Sequence, residues 1–152
     1  MAAPFPFDRT WALAAPRSAV WSLMERTDAY QSWWPWLRRF ELDTLAPGAE
    51  GACVIRSPLG YALTFVLHID RVEPAHAISA RVHGDLDGPA ALELVDAPGA
   101  TTELRMHFAL ELRQSVLRPL AIVARPAMQW AHDRLSEAAV RDFRLALDQA
   151  PR

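Results

Sequence analysis

The amino-acid sequence predicts an α+β fold: a curved antiparallel sheet of about seven strands around one long C-terminal helix, with two short helices after the first strand. Three observations predict it. Residues 38–113 alternate apolar and polar side chains, the period of strands with one buried face. Residues 126–149 repeat instead at helical spacing, with one apolar and one charged face. Ahead of both, a strand-like run gives way to two segments that carry helix-start signals.

In "FPFDRTWALAAP", Phe5, Phe7, Trp11 and Leu13 share a side that Arg9 interrupts, which predicts a strand ending at Pro16. Pro16 suits a first helical turn, and Val20, Trp21 and Met24 form a stripe behind it. A second short helix is expected over roughly 28–34, with Asp28 as N-cap and Pro35 as its end. In "ATTELRMHFALELR", Leu104, Met106, Phe108, Leu110 and Leu112 face one way. Glu103, Arg105, His107, Glu111 and Arg113 face the other. Leu63, Phe65, Leu67 and Ile69 share another strand face, with His68 and Asp70 pointing outward. Runs near 51–56, 76–83 and 91–95 read the same way, separated by "APG", "SPLG" and "DLDG" turns. On the last helix, Met128, Ala131, His132, Leu135, Ala139, Phe143 and Ala146 form the apolar face. Asp133, Arg134, Glu137, Arg141, Arg144 and Asp148 form the opposite one. Pro119 and Pro126 divide a short lead-in helix from it. No repeat or linker interrupts the pattern, so residues 1–152 read as a single domain.

Composition excludes several kinds of chemistry. The chain is 51% hydrophobic with net charge −2, a globular balance that disfavours nucleic acid as partner. Its basic residues are all arginine, so no lysine Schiff base, pyridoxal anchor or P-loop lysine can form. Cys53 is the single cysteine, which rules out an internal disulfide and a cysteine-rich metal site. Asp85 and Asp87 lack the rest of a calcium loop, and His132 and Asp133 face opposite sides of a helix. There is no G-x-S-x-G and no glycine-rich phosphate loop, and the expectation is that no metal or cofactor is bound. The N-terminus lacks a secretory pattern. The apolar stretch 116–131 is broken by Arg118, Pro119, Arg125 and Pro126, so a cytoplasmic location is expected.

A curved sheet around one helix leaves part of its concave face uncovered, and a cavity lined by apolar side chains is expected. This order, and three stretches of the chain, resemble the START-like helix-grip superfamily (START/Bet v 1-like), in its polyketide cyclase/dehydrase and lipid-transport branch. The stretches are "LAAPRSAVWSLMERTDAYQSWWP", "IDRVEPAHAISARV" and "RPLAIVARPAMQWAHDRLSEAAVRDFRLAL". The resemblance covers nearly the whole chain. It implies a hydrophobic small-molecule ligand, polyketide-, lipid- or quinone-like, with cyclase/dehydrase chemistry in some members and no shared catalytic motif.

The aromatic cluster "YQSWWPW" falls at one end of that expected cavity. Trp33 and Trp34 either plug the core or line the pocket, and Trp36 is the most exposed candidate. His132 on the apolar helix face is either a satisfied core histidine or an imidazole that meets the ligand or moves a proton. Arg71 shares strand parity with Phe65, Leu67 and Ile69. The resemblance to aromatase/cyclases implies an inward arginine there that steadies an enolate oxygen, although an arginine at a strand end is commonly just solvated. Tyr61, beside Gly60 in a lid-like turn, offers a hydroxyl at the mouth. Phe65, Leu67, Met106, Phe108, Met128 and Leu135 complete the predicted ligand-binding set. Two other classes stay open: a non-catalytic carrier that contacts a membrane transiently, and a protein-interaction module using the cavity mouth. Trp36, Leu37, Arg38 and Arg39 hint at the membrane contact.

Overall fold

The computed structural model describes residues 5–112 and 125–150. The elements are β1 (Phe5–Leu13), α1 (Arg17–Met24), a 3₁₀ turn (Thr27–Ala29), α2 (Tyr30–Trp33), β2 (Leu37–Phe40) and β3 (Glu50–Arg56). They continue with β4 (Ala62–Glu73), β5 (Ala77–Gly84), β6 (Leu86–Ala97), β7 (Thr101–Leu112) and α3 (Arg125–Gln149). This is the predicted order. The lead-in helix expected ahead of Pro126 lies outside the described residues. Asp28 is not an N-cap as expected: it sits inside the 3₁₀ turn, and its carboxylate takes Arg26 Nε at 3.0 Å. α2 ends at Trp33 because Trp34, the residue before Pro35, is held extended at φ −119° and ψ 95°.

The seven strands form one antiparallel sheet in the order β1-β7-β6-β5-β4-β3-β2. First and last strands therefore pair, with Phe7 opposite Phe108 and Leu13 opposite Thr102. Two local devices bend the sheet. In β4 the register slips by one residue, Ile69 facing Ala80 but Arg71 facing Ser79, so Asp70 is the extra residue of a bulge. In β6, Gly88 has φ 145°, and a Cβ there would lie 2.2 Å from the Ala109 carbonyl oxygen. Only glycine lets β6 and β7 approach so closely at that bend.

The apolar stripe of α1 (Val20, Trp21, Met24) is buried as predicted, where α1 touches β6, β7 and α3. Thr102 Oγ1, fully buried, donates to the Ala15 carbonyl at 2.7 Å and fixes the approach to α1. On β7, Leu104 is buried while Arg105 Nε pairs outside with Glu103 at 2.7 Å, so the predicted alternation holds. α3 buries Ala131, Val140, Phe143 and Leu147, a broader stripe than the predicted face. One flank of α3 is laced to β1. Arg144 donates to the Ala12 carbonyl at 2.9 Å, Trp11 Nε1 to Glu137 Oε1 at 3.3 Å, and Arg9 meets Asp133 at 3.3 Å. The opposite flank, toward β2 and β3, stands over the sheet's hollow.

Gly88→Ala forces a methyl group into the Ala109 carbonyl at a φ that side chains rarely adopt. It should cost about 2–3 kcal/mol, read as a lower denaturant midpoint. Gly99→Ala, also at positive φ (78°) but with open space around the added Cβ, should cost clearly less. Equal losses at both positions would show that the β6–β7 approach is not the constraint.

Candidate ligand-binding site

The hollow is a cavity of about 380 Å³ between α3 and the concave face of the sheet. Inward positions of successive strands wall it: Phe65 and Leu67 on β4, Val82 on β5, Leu92 on β6, Met106 and Phe108 on β7. These are alternate residues of each strand, which the pleat aims at one face. Tyr30, Trp34 and Trp36 close one end, and His132, Leu135, Ser136 and Ala139 form the α3 side. A smaller annex of about 80 Å³ continues past His132 toward Tyr61, Leu63 and Pro58, in and beside the β3–β4 turn.

Most polar groups in this wall are already committed. The Tyr30 hydroxyl donates to the Met24 carbonyl, and burial raises its pKa well above the ordinary phenol value. Ser136 Oγ donates to the His132 carbonyl at 2.9 Å, and Trp34 Nε1 donates to the Ala139 carbonyl at 3.0 Å. Two nitrogens are not committed. Trp36 Nε1 and His132 Nδ1 are the buried side-chain polar atoms without a hydrogen-bond partner among the described residues, and both belong to cavity-lining rings. Leaving such groups unpaired costs about 1–3 kcal/mol each, so a fold optimised only for stability would not keep them.

His132 stands edge-on to Phe7, ring centroids 4.5 Å apart, with Phe108 at 6.2 Å. Burial among these rings pushes its pKa below the ordinary value; Asp133 opposes the shift and Arg9 adds to it. The imidazole is therefore neutral near pH 7, with one ring nitrogen a donor and the other an acceptor. Cys53 is not a reactive group: burial, then the charge of Glu41, pushes its thiol up to about 11.

Of the residues singled out in the sequence, Trp34, Trp36, Phe65, Leu67, Met106, Phe108, His132 and Leu135 reach the main cavity, and Tyr61 lines the annex. Trp33 does not line it. Its ring packs edge-on against Phe143 and Trp34, both at 5.8 Å, behind the wall. The Met128 side chain lies outside the described part of α3. Arg71 is corrected. The bulge at Asp70 reverses strand parity, so Arg71 leaves the inner face, is 78% exposed and meets Glu73 at 3.7 Å. Sequence reading missed Tyr30, Ile55 and the α1 pair Val20 and Met24 as wall residues. The helical stripe of Val20 and Met24 was visible, but nothing local shows that α1 and β4 face one space.

A curved antiparallel sheet gripping a long helix around an apolar cavity defines the START-like helix-grip class. The sequence pattern of the family described as "Polyketide cyclase / dehydrase and lipid transport" matches residues 5–147, and the chain belongs to that family. Among solved structures, the Zhui aromatase/cyclase from Streptomyces sp. R1128 superposes with a TM-score of 0.77 at 16% identity, covering 95% of this chain and 94% of that one. A START superfamily protein from Mycobacterium smegmatis gives 0.72 at 15% identity, covering 95% and 97%. A protein from Thermus thermophilus gives 0.79 at 11%, covering 94% and 97%. At these identities the likeness is one of fold. No curated protein matches the chain significantly.

The depressed pKa of His132 has a measurable consequence. The folded imidazole resists protonation, whereas the unfolded one titrates near 6.5. Stability is thus fully present above about pH 6.5 and falls as pH drops below it, until the folded ring also protonates. Between about pH 7 and about pH 5, the melting temperature of His132→Phe should fall less than that of the unaltered protein. Parallel declines would remove His132 as a cause of acid sensitivity.

Proposed function

We propose that this protein binds a largely apolar small molecule in the cavity between α3 and the sheet. The observation that carries the reading is the lining. About 380 Å³ is walled by aromatic and aliphatic side chains, and of their few polar groups Tyr30, Trp34 and Ser136 are internally bonded. That volume lies within the range of small-molecule sites, about 300–1,000 Å³. Membership of a cyclase and lipid-transport family supports the same class of ligand. His132 is the cavity's main polar handle: a neutral ring that can meet a hydroxyl or carbonyl of the ligand. Binding needs no more than this. Cyclisation or dehydration needs further convergent polar groups, and with Arg71 turned outward any such chemistry would run through His132, as acid or base. Binding is therefore the primary reading, and turnover a second function that His132 alone would have to serve.

Protein stripped of bound material, titrated with apolar aromatic and isoprenoid compounds, should show tryptophan fluorescence quenching. Trp36→Phe should weaken the quench, whereas Trp33→Phe, altered behind the wall, should change it little. His132→Phe should weaken binding of an oxygenated ligand by about 1–2 kcal/mol while a pure hydrocarbon binds as before. Unchanged fluorescence across the whole panel would overturn the cavity-binding reading.

A further inference from the structure

Outside the cavity, an open groove runs between α3, the start of β2 and the β3–β4 turn. Trp36 and Leu135 line both the groove and the cavity, so they stand at the threshold between them. The groove's charge is opposite to the chain's. Five arginines and two acids line it, on a chain whose net charge is −2; of the five, Arg141 is paired with Asp142 at 3.4 Å. The two acids do not neutralise these arginines. Asp133 and Glu137 are both engaged by Arg9, at 3.3 and 3.5 Å, from β1 on the far side of the helix. Arg38, Arg56 and Arg134 are exposed and have no carboxylate partner among the described residues; Arg134 lies over the Trp130 ring at 5.4 Å. They come from three elements, the paired strands β2 and β3 and the helix α3, which meet at this mouth. Like charges gathered without counter-charge repel one another, and an anion held among them relieves that repulsion. Guanidinium groups also match the planar or tetrahedral oxygens of carboxylate and phosphate.

We propose that the ligand is an anionic amphiphile, its apolar body in the cavity and its carboxylate or phosphate in the arginine groove at the mouth. The proposal rests on the cavity-binding reading and adds the head-group chemistry. An apolar tail passing between Trp36 and Leu135 connects the two regions without any polar group being buried.

Ligand-stripped protein is titrated calorimetrically with decanoate, decyl phosphate, 1-decanol and inorganic phosphate. Decanoate and decyl phosphate should bind about tenfold more tightly than decanol, an advantage that shrinks as salt screens the groove. Arg38→Gln combined with Arg56→Gln should remove most of that advantage and leave decanol affinity unchanged, and Arg134→Gln on α3 should do so independently. Inorganic phosphate should bind far more weakly than decyl phosphate. Equal affinity for decanoate and decanol would overturn the head-group site while leaving cavity binding intact. So would a loss in the variants shared equally by both compounds. Arginine-dependent phosphate binding as tight as that of decyl phosphate would assign the groove to a free anion and overturn the amphiphile. Failure of all the decyl compounds would overturn the cavity reading with it.

Discussion

The width of a helix against the width of a sheet is the constraint on which this structure depends. Seven strands about 4.8 Å apart present a face roughly 30 Å across. A helix with its side chains covers about 10 Å. The concave face is predominantly apolar, so it must be kept from water, yet α3 alone cannot cover it. The fold answers by curling the sheet and adding α1 and the Tyr30–Trp36 corner as end walls. What remains between these covers is the cavity. Its volume follows from the mismatch between the elements.

How α3 is attached decides where that space opens. Arg144, Glu137 and Asp133 tie one flank of the helix to β1, the edge strand paired with β7. The same ion pairs engage Asp133 and Glu137, the acids that also line the groove, which leaves Arg38, Arg56 and Arg134 without a carboxylate partner among the described residues. Helix attachment and groove electrostatics are thus one arrangement. Leu37 is buried and Arg39 pairs with Glu41, so within the Trp36–Arg39 run only Trp36 and Arg38 contribute to the mouth.

Inside, the wall combines an apolar surface with very few uncommitted polar atoms. Tyr30, Ser136 and Trp34 are tied to backbone carbonyls, which stabilises the wall and removes them as ligand handles. The exceptions, His132 Nδ1 and Trp36 Nε1, therefore carry more weight than their number suggests. An isolated polar group in a low-dielectric site discriminates strongly between ligands that can pair with it and those that cannot.

Periodicity in the sequence by itself determined the element order, the inward faces of β4 and β7, and the apolar face of α3, because side-chain direction follows from a two- or 3.6-residue repeat. It placed Phe65, Leu67, Met106, Phe108, His132 and Leu135 on surfaces that do meet the cavity. The fate of Arg71 lay beyond it: one extra residue at Asp70 flips every later side chain of β4, and a bulge is set by pairing with β5, not by β4 alone. Trp33 and Trp34 are adjacent and chemically identical, yet one packs on Phe143 and the other faces the cavity, a choice made by where α3 crosses. The arginine groove likewise joins residues 38, 56 and 134, far apart in the chain and without local pattern. Contacts between distant segments have no period, and only the tertiary structure decides them.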